Sequence, residues 1–206
     1  MPRLILIKHA APVVDPDQPP ERWPLSEDGR ARAMTLAERI ASLAPARVLA
    51  SRETKATQTA EVVASRLQIP FVPADDLHEH DRSNVPHMPS REFISMIELF
   101  FRKPHQLVTS ANDCKFNRKP HQLALGFETA DAARERIAGA VDRAIEAHPS
   151  ETLAVVSHGT VISLLLQQRT GEDPFFSWRA MKLPSFLVID LPSWRVEQRV
   201  NDLTIL

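Results

Sequence analysis

Two histidines stand where short apolar runs stop: Leu4-Ile5-Leu6-Ile7 ends at Lys8-His9, and the run from Thr152 to Val156 ends at Ser157-His158-Gly159. A further cation, Lys55, follows a third run, Arg47 to Ser51. If these runs are parallel strands of one sheet, the three groups open onto the same carboxyl edge, where open α/β sheets hold their ligands. Imidazoles among fixed cations suit phosphoryl transfer, because that chemistry consists largely of positioning and of neutralising charge on the non-bridging oxygens. His158-Gly159-Thr160 also sits where a helical stretch begins, and helix starts attract anions. Taken singly, each histidine fits equally well as a hydrogen-bonded residue of core or surface. It is their convergence with the lysines that points to a site.

The elements that must position these groups alternate between strand and helix. Leu4 to Ile7, Arg47 to Ser51, Ile69 to Val72, Thr152 to Val156, Ser185 to Asp190 and Arg195 to Val200 have strand character. Between them, Ala31 to Leu43, Thr54 to Leu67, Arg91 to Phe101, Ala130 to Ala147 and Val161 to Gln168 carry apolar residues at helical spacing. The alternation predicts an α/β fold, a three-layer α/β/α sandwich whose mainly parallel sheet is covered on both faces. Lys55 then lies in the first turn of a helix. The segments Pro12 to Pro24 and Asp75 to Pro89 are proline-bounded and polar, the composition of loops that carry specificity.

Composition narrows the partners. Among 206 residues, 25 Lys and Arg balance 26 Asp and Glu, a net charge of -1, so no global positive field exists to hold nucleic acid or an anionic membrane. Only 5 glycines argue against a Gly-rich phosphate loop, so side chains must bind any phosphate. The single cysteine, Cys114, excludes an internal disulfide and a cysteine-rich zinc site. With no signal-peptide-like start and no apolar run long enough to span a membrane, a cytoplasmic location is expected. The length suits a single domain over 1–206. Within it, Arg102 to Leu107 recurs letter for letter as Arg118 to Leu123, which marks an inserted duplicated segment near 108–123. The basic residues Arg102, Lys103, Lys115, Arg118 and Lys119 of this region suit, alternatively, an acidic partner.

Four ordered strings carry a resemblance: Leu6-Ile7-Lys8-His9-Ala10; Trp23-Pro24-Leu25-Ser26 with Gly29; Ala50-Ser51 through Lys55-Ala56-Thr57-Gln58-Thr59-Ala60; and Val156-Ser157-His158-Gly159. In this order and spacing they resemble the histidine phosphatase (phosphoglycerate mutase-like) superfamily, from Arg3 to about Leu166. The resemblance implies a phosphoglycerate mutase-like fold, with His9 as the nucleophile that becomes phosphohistidine and His158 stabilising the transferring group. The family's two arginines map onto Lys8 and Lys55, and its glycine after the nucleophile onto Ala10. Lysine keeps the charge but replaces a planar fork by a point charge on a flexible stem.

A leaving alkoxide needs a proton, and the water that attacks phosphohistidine needs a base. Glu79, in Leu77-His78-Glu79-His80-Asp81-Arg82, is the candidate, because its Leu-x-Glu core resembles the family's acid/base segment, and Asp81 is the reserve. His78, His80, Asp81 and His87 also suggest a metal cluster, yet three ligands within four loop residues rarely converge on one ion without another held elsewhere. The expectation is therefore a metal-independent, cofactor-free phosphatase acting on a small-molecule phosphate ester. Catalysis falls to His9, Glu79 and His158, and phosphate binding to Lys8, Lys55, His158 and Gly159. Two rivals remain: a phosphomutase, which must shield its phosphohistidine from water, and a phosphate-binding regulatory protein with little or no turnover.

Overall fold

The computed structural model describes residues 2–82, 89–105, 108–109, 124–125 and 127–203. Its strands are β1 (Arg3–Lys8), β2 (Arg47–Ser51), β3 (Phe71–Ala74), β4 (Val108–Thr109), β5 (Ala124–Leu125), β6 (Leu153–Ser157), β7 (Ser185–Asp190) and β8 (Val196–Val200). The helices are α1 (Glu27–Ile40), α2 (Thr54–Leu67), α3 (Ser90–Arg102), α4 (Ala130–Ala147), α5 (Gly159–Thr170) and α6 (Pro174–Ala180). Six strands form one sheet in the order β3-β2-β6-β1-β7-β8. The first four are parallel, and β7 runs antiparallel to both β1 and β8.

Strand alternation divides the interior. Ile5 and Ile7 join Leu36, Ile40, Val48, Val63 and Val156 beneath α1 and α2. Leu4 and Leu6 face the other way, into a second core with Ile97, Phe100, Ile137, Val141, Val155 and Ile162 from α3, α4, α5 and β6. Each fully buried side chain of this kind contributes about 1.5–3 kcal/mol. The result is the expected three-layer sandwich.

Register places the chemistry. Lys8 lies opposite Ser157 in the parallel β1·β6 pair, so His9 and His158, one residue beyond each, leave the sheet side by side. Ala50 lies opposite Val156, which sets Ser51 beside the same edge. Backbone bonds tighten the junction: the His9 N–H donates to the Ser157 carbonyl at 3.0 Å.

The boundaries differ from the sequence expectation in a few places. The first helix starts earlier, at Glu27, because Ser26 caps it by accepting the Gly29 N–H at 2.9 Å; residues Ala41–Leu43 tighten into a 3-10 turn. The third strand is shifted to Phe71–Ala74. Helix α6 and the β4·β5 hairpin were not anticipated. The duplicated hexamer's second copy and Cys114 lie outside the described residues. Among the described residues, no helix is long and apolar enough to cross a membrane.

Candidate active site

Two of the sequence strings serve to hold the His9 strand end. The Ala10 N–H donates to Thr59 Oγ1 at 3.0 Å, and the Leu25 N–H donates to Gln58 Oε1 at 2.8 Å. The Ser26 N–H and Oγ both donate to the Ala11 carbonyl at 3.0 Å. Gly29 makes this possible, since a Cβ there would stand 2.1 Å from that carbonyl oxygen. Ala10 is not among the residues with positive φ, so the methyl brings no backbone strain, and it packs with Leu25 and Ala33.

The rings of His9 and His158 meet at a tilt of 59° with centroids 5.0 Å apart. His9 Nδ1 is 2.8 Å from the Ala10 carbonyl. A carbonyl only accepts, so Nδ1 carries the proton and Nε2 keeps its lone pair. Burial, helped by His158 and Lys55, holds His9 well below the usual histidine range, so the ring is neutral. His158 Nε2 is 2.9 Å from Ser51 Oγ, and burial brings this ring to about 4 against the pull of Glu53 and Glu79.

The two lysines are anchored through carbonyls. Lys8 Nζ donates to the Met181 carbonyl at 3.0 Å, just past α6. Its stem runs over Gly159, where a Cβ would come within 3.1 Å of Lys8 Cε and 3.2 Å of Nζ. Gly159 thus gives the lysine its room. Burial brings the Lys8 ammonium down to about 8, with Glu79 opposing and Lys182 and Arg82 adding to the fall. Lys55 Nζ donates to the Pro20 carbonyl at 2.8 Å and to Glu53 Oε2.

Glu79 is mostly enclosed. Its Oε1 accepts the His80 N–H at 2.9 Å and its Oε2 accepts the Thr160 N–H of α5 at 3.4 Å, which brings it to the histidine pair. Burial would raise this carboxyl, but Arg82, whose Nη2 lies 4.0 Å from Oε2, and the His80 N–H bring it down to about 2. His158 would add to this only when protonated. The segment is held from behind by Arg136 of α4, which donates to the carbonyls of Asp76 (2.8 Å), His78 (3.0 Å) and Glu79 (3.3 Å) while pairing with Glu128. Breaking so enclosed a pair costs on the order of 3–5 kcal/mol.

All six expected residues, Lys8, His9, Lys55, Glu79, His158 and Gly159, therefore meet at one edge. The reserve acid, Asp81, is bonded through its main chain to Glu128 and Phe127. His80 stacks on Phe100 at 3.9 Å and reaches the Glu128 carbonyl, a core role. Among the described residues no three His, Cys, Asp or Glu side chains gather as a metal site; His87 lies outside them. Sequence reasoning missed Glu53, Arg82, Arg136 and α6. For α6 the signal existed: Asp173-Pro174 is a helix start, and Asp173 Oδ1 accepts the Phe176 N–H at 2.8 Å.

A sequence model of the histidine phosphatase superfamily (branch 1) matches residues 4–195. The uncharacterized phosphatase PhoE of Bacillus subtilis (strain 168) is 24% identical over 151 residues, 73% of this chain and 67% of that protein. Bacillus stearothermophilus YhfR superposes with a TM-score of 0.72 at 22% identity, covering 97% of this chain and 96% of that one. The alpha-ribazole phosphatase from Shigella flexneri gives 0.71 at 20% identity, covering 98% and 96%. A mycobacterial glucosyl-3-phosphoglycerate phosphatase gives 0.72 at 18% identity, covering 98% and 100%. These structural likenesses speak to the fold.

Proposed function

The chain belongs to the histidine phosphatase superfamily and is a phosphatase, and from that premise we propose that it hydrolyses a small phosphate monoester through a phosphohistidine at His9, without a metal. One observation carries the reading: His9 Nδ1 donates to the Ala10 carbonyl, which leaves Nε2 with its lone pair on a ring 5.0 Å from that of His158 and within the field of Lys55 and Lys8.

In the proposed sequence Nε2 attacks phosphorus in line with the ester oxygen, and a P–N bond forms as the P–O bond breaks. Lys8, Lys55 and His158 hold the non-bridging oxygens, and Thr160 Oγ1, buried without a partner among the described residues, is a further donor. Glu79 is a carboxylate in the free site. The arriving phosphoryl group, negative and close by, raises its proton affinity, so it takes up the proton carried in by the monoanionic ester, and the departing alkoxide then receives that proton. The resulting carboxylate draws a proton from water as the water's oxygen attacks phosphorus, the P–N bond breaks, and inorganic phosphate leaves. The proposed setting is the cytoplasm; a net charge of -1 supports a small-molecule partner rather than nucleic acid or membrane.

The test is phosphate release from sugar phosphates, glycerate phosphates, nucleotides and phosphopeptides in the presence of a chelator. The expected result is release from at least one small ester, lost in a folded His9→Ala variant. Transfer of phosphate between acceptors without release would identify a mutase, and tight phosphate binding with no turnover a binding protein.

A further inference from the structure

Glu53 occupies the N-cap position of α2, yet its side chain makes no capping bond to the helix. It turns into the site instead. One carboxylate oxygen, Oε2, meets Lys55 Nζ, and the other, Oε1, lies 3.4 Å from His158 Nε2 and accepts the Glu79 N–H at 2.7 Å. A single carboxylate thus touches a cation, an imidazole and the acid/base segment. Its side chain is 12% exposed, against 8% for Lys55 and 1% for His158.

An ammonium has three donors on a flexible stem, whereas a guanidinium carries its direction in its own plane. At Lys55 two donors are committed, to Pro20 and Glu53, and the third is left for a phosphoryl oxygen. Direction is gained, and it has an electrostatic cost. A carboxylate against the ammonium weakens the pull on any bound dianion, whether substrate or product.

Resting on the phosphatase reading above, we propose that Glu53 is a positioning residue that aims Lys55 and His158 at the phosphoryl group and that also lowers the site's affinity for free inorganic phosphate, so that product departs. Such a role splits two quantities that simple structural support moves together. Losing the charge should slow the chemical step while tightening phosphate binding.

Glu53→Gln is compared with wild type on p-nitrophenyl phosphate and on orthophosphate, by kinetics and by calorimetry. The expected result is a loss of kcat of about a hundredfold, together with orthophosphate bound about tenfold more tightly. Glu53→Asp keeps the charge at shorter reach; it should lose kcat with orthophosphate affinity near wild type, and it serves if the Gln variant fails to fold. Adding Lys55→Arg to Glu53→Gln should recover part of kcat, because the guanidinium brings its own geometry. Orthophosphate bound more weakly by Glu53→Gln, or kcat and affinity both unchanged, would overturn the proposal. If wild type turns over no ester, the phosphatase reading fails, while the orthophosphate comparison still decides the electrostatic half of this one.

Discussion

Lys8 and Lys55 show how a lysine can stand where a planar fork is expected. Each ammonium is tethered by a carbonyl, Met181 for one and Pro20 for the other, and Gly159 leaves space for the Lys8 stem. At Lys8 the pocket is fitted to the thinner cation. Lys8→Arg should therefore lose activity, because the wider guanidinium has to displace Gly159 or the Met181 carbonyl. The charge also has a pH signature. The Lys8 ammonium, brought down to about 8, loses its proton as pH rises through that value, so kcat/KM of the wild type should fall there. Whatever activity Lys8→Arg retains should keep its rate to higher pH, since a guanidinium stays charged. A pH profile of both proteins checks this, and an unchanged basic limb in the Arg variant would assign the limb to another group.

Segments with strong periodicity were legible from the sequence alone. Thr54–Leu67 and Ala130–Ala147 have the predicted bounds, and the strand ends delivered His9 and His158 together because the sheet there is parallel. What escaped was short or conditional. Helix α6 has only 7 residues and little apolar period, although its Asp-Pro start was visible. Glu53 was hidden because no local pattern marks it, and its actual partners, His158 and the Glu79 N–H, come from distant parts of the chain. We propose that 108–123 is an inserted copy. Val108 and Thr109, the first residues of the segment, pair with Leu125 and Ala124, which follow it, so the segment starts beside the chain that continues after it. The first copy is also anchored, for the Pro104 carbonyl accepts the Asp131 N–H at 3.0 Å and His105 pairs with Asp131. Excision of 108–123 should leave kcat/KM intact and stability within about 1 kcal/mol, the scale of a loop-length change. A collapse of either, followed by thermal melting and turnover, would make the segment part of the working fold.

Across the molecule, the near-neutral surface and the enclosed site fit together. A charge of -1 gives no long-range field, so in the proposed reading anion binding rests on the local cations Lys8 and Lys55, with Arg82 nearby, set against Glu53 and Glu79. The neutral imidazoles add hydrogen-bonding capacity without charge. On the proposed reading such a site neutralises a transferring phosphoryl group closely rather than attracting anions in bulk, and the sheet keeps the two rings at their spacing. All of this has chemical meaning only if His9 Nε2 makes a bond to phosphorus. The direct measurement is to quench the protein in mid-turnover of a labelled ester and locate the phosphoryl group on the chain. The expected result is a label on His9 that is acid-labile and alkali-stable, as a phosphoramidate is, formed at least as fast as turnover and missing from His9→Ala. An acid-stable label on Ser or Thr, or turnover that persists in His9→Ala, would contradict the account.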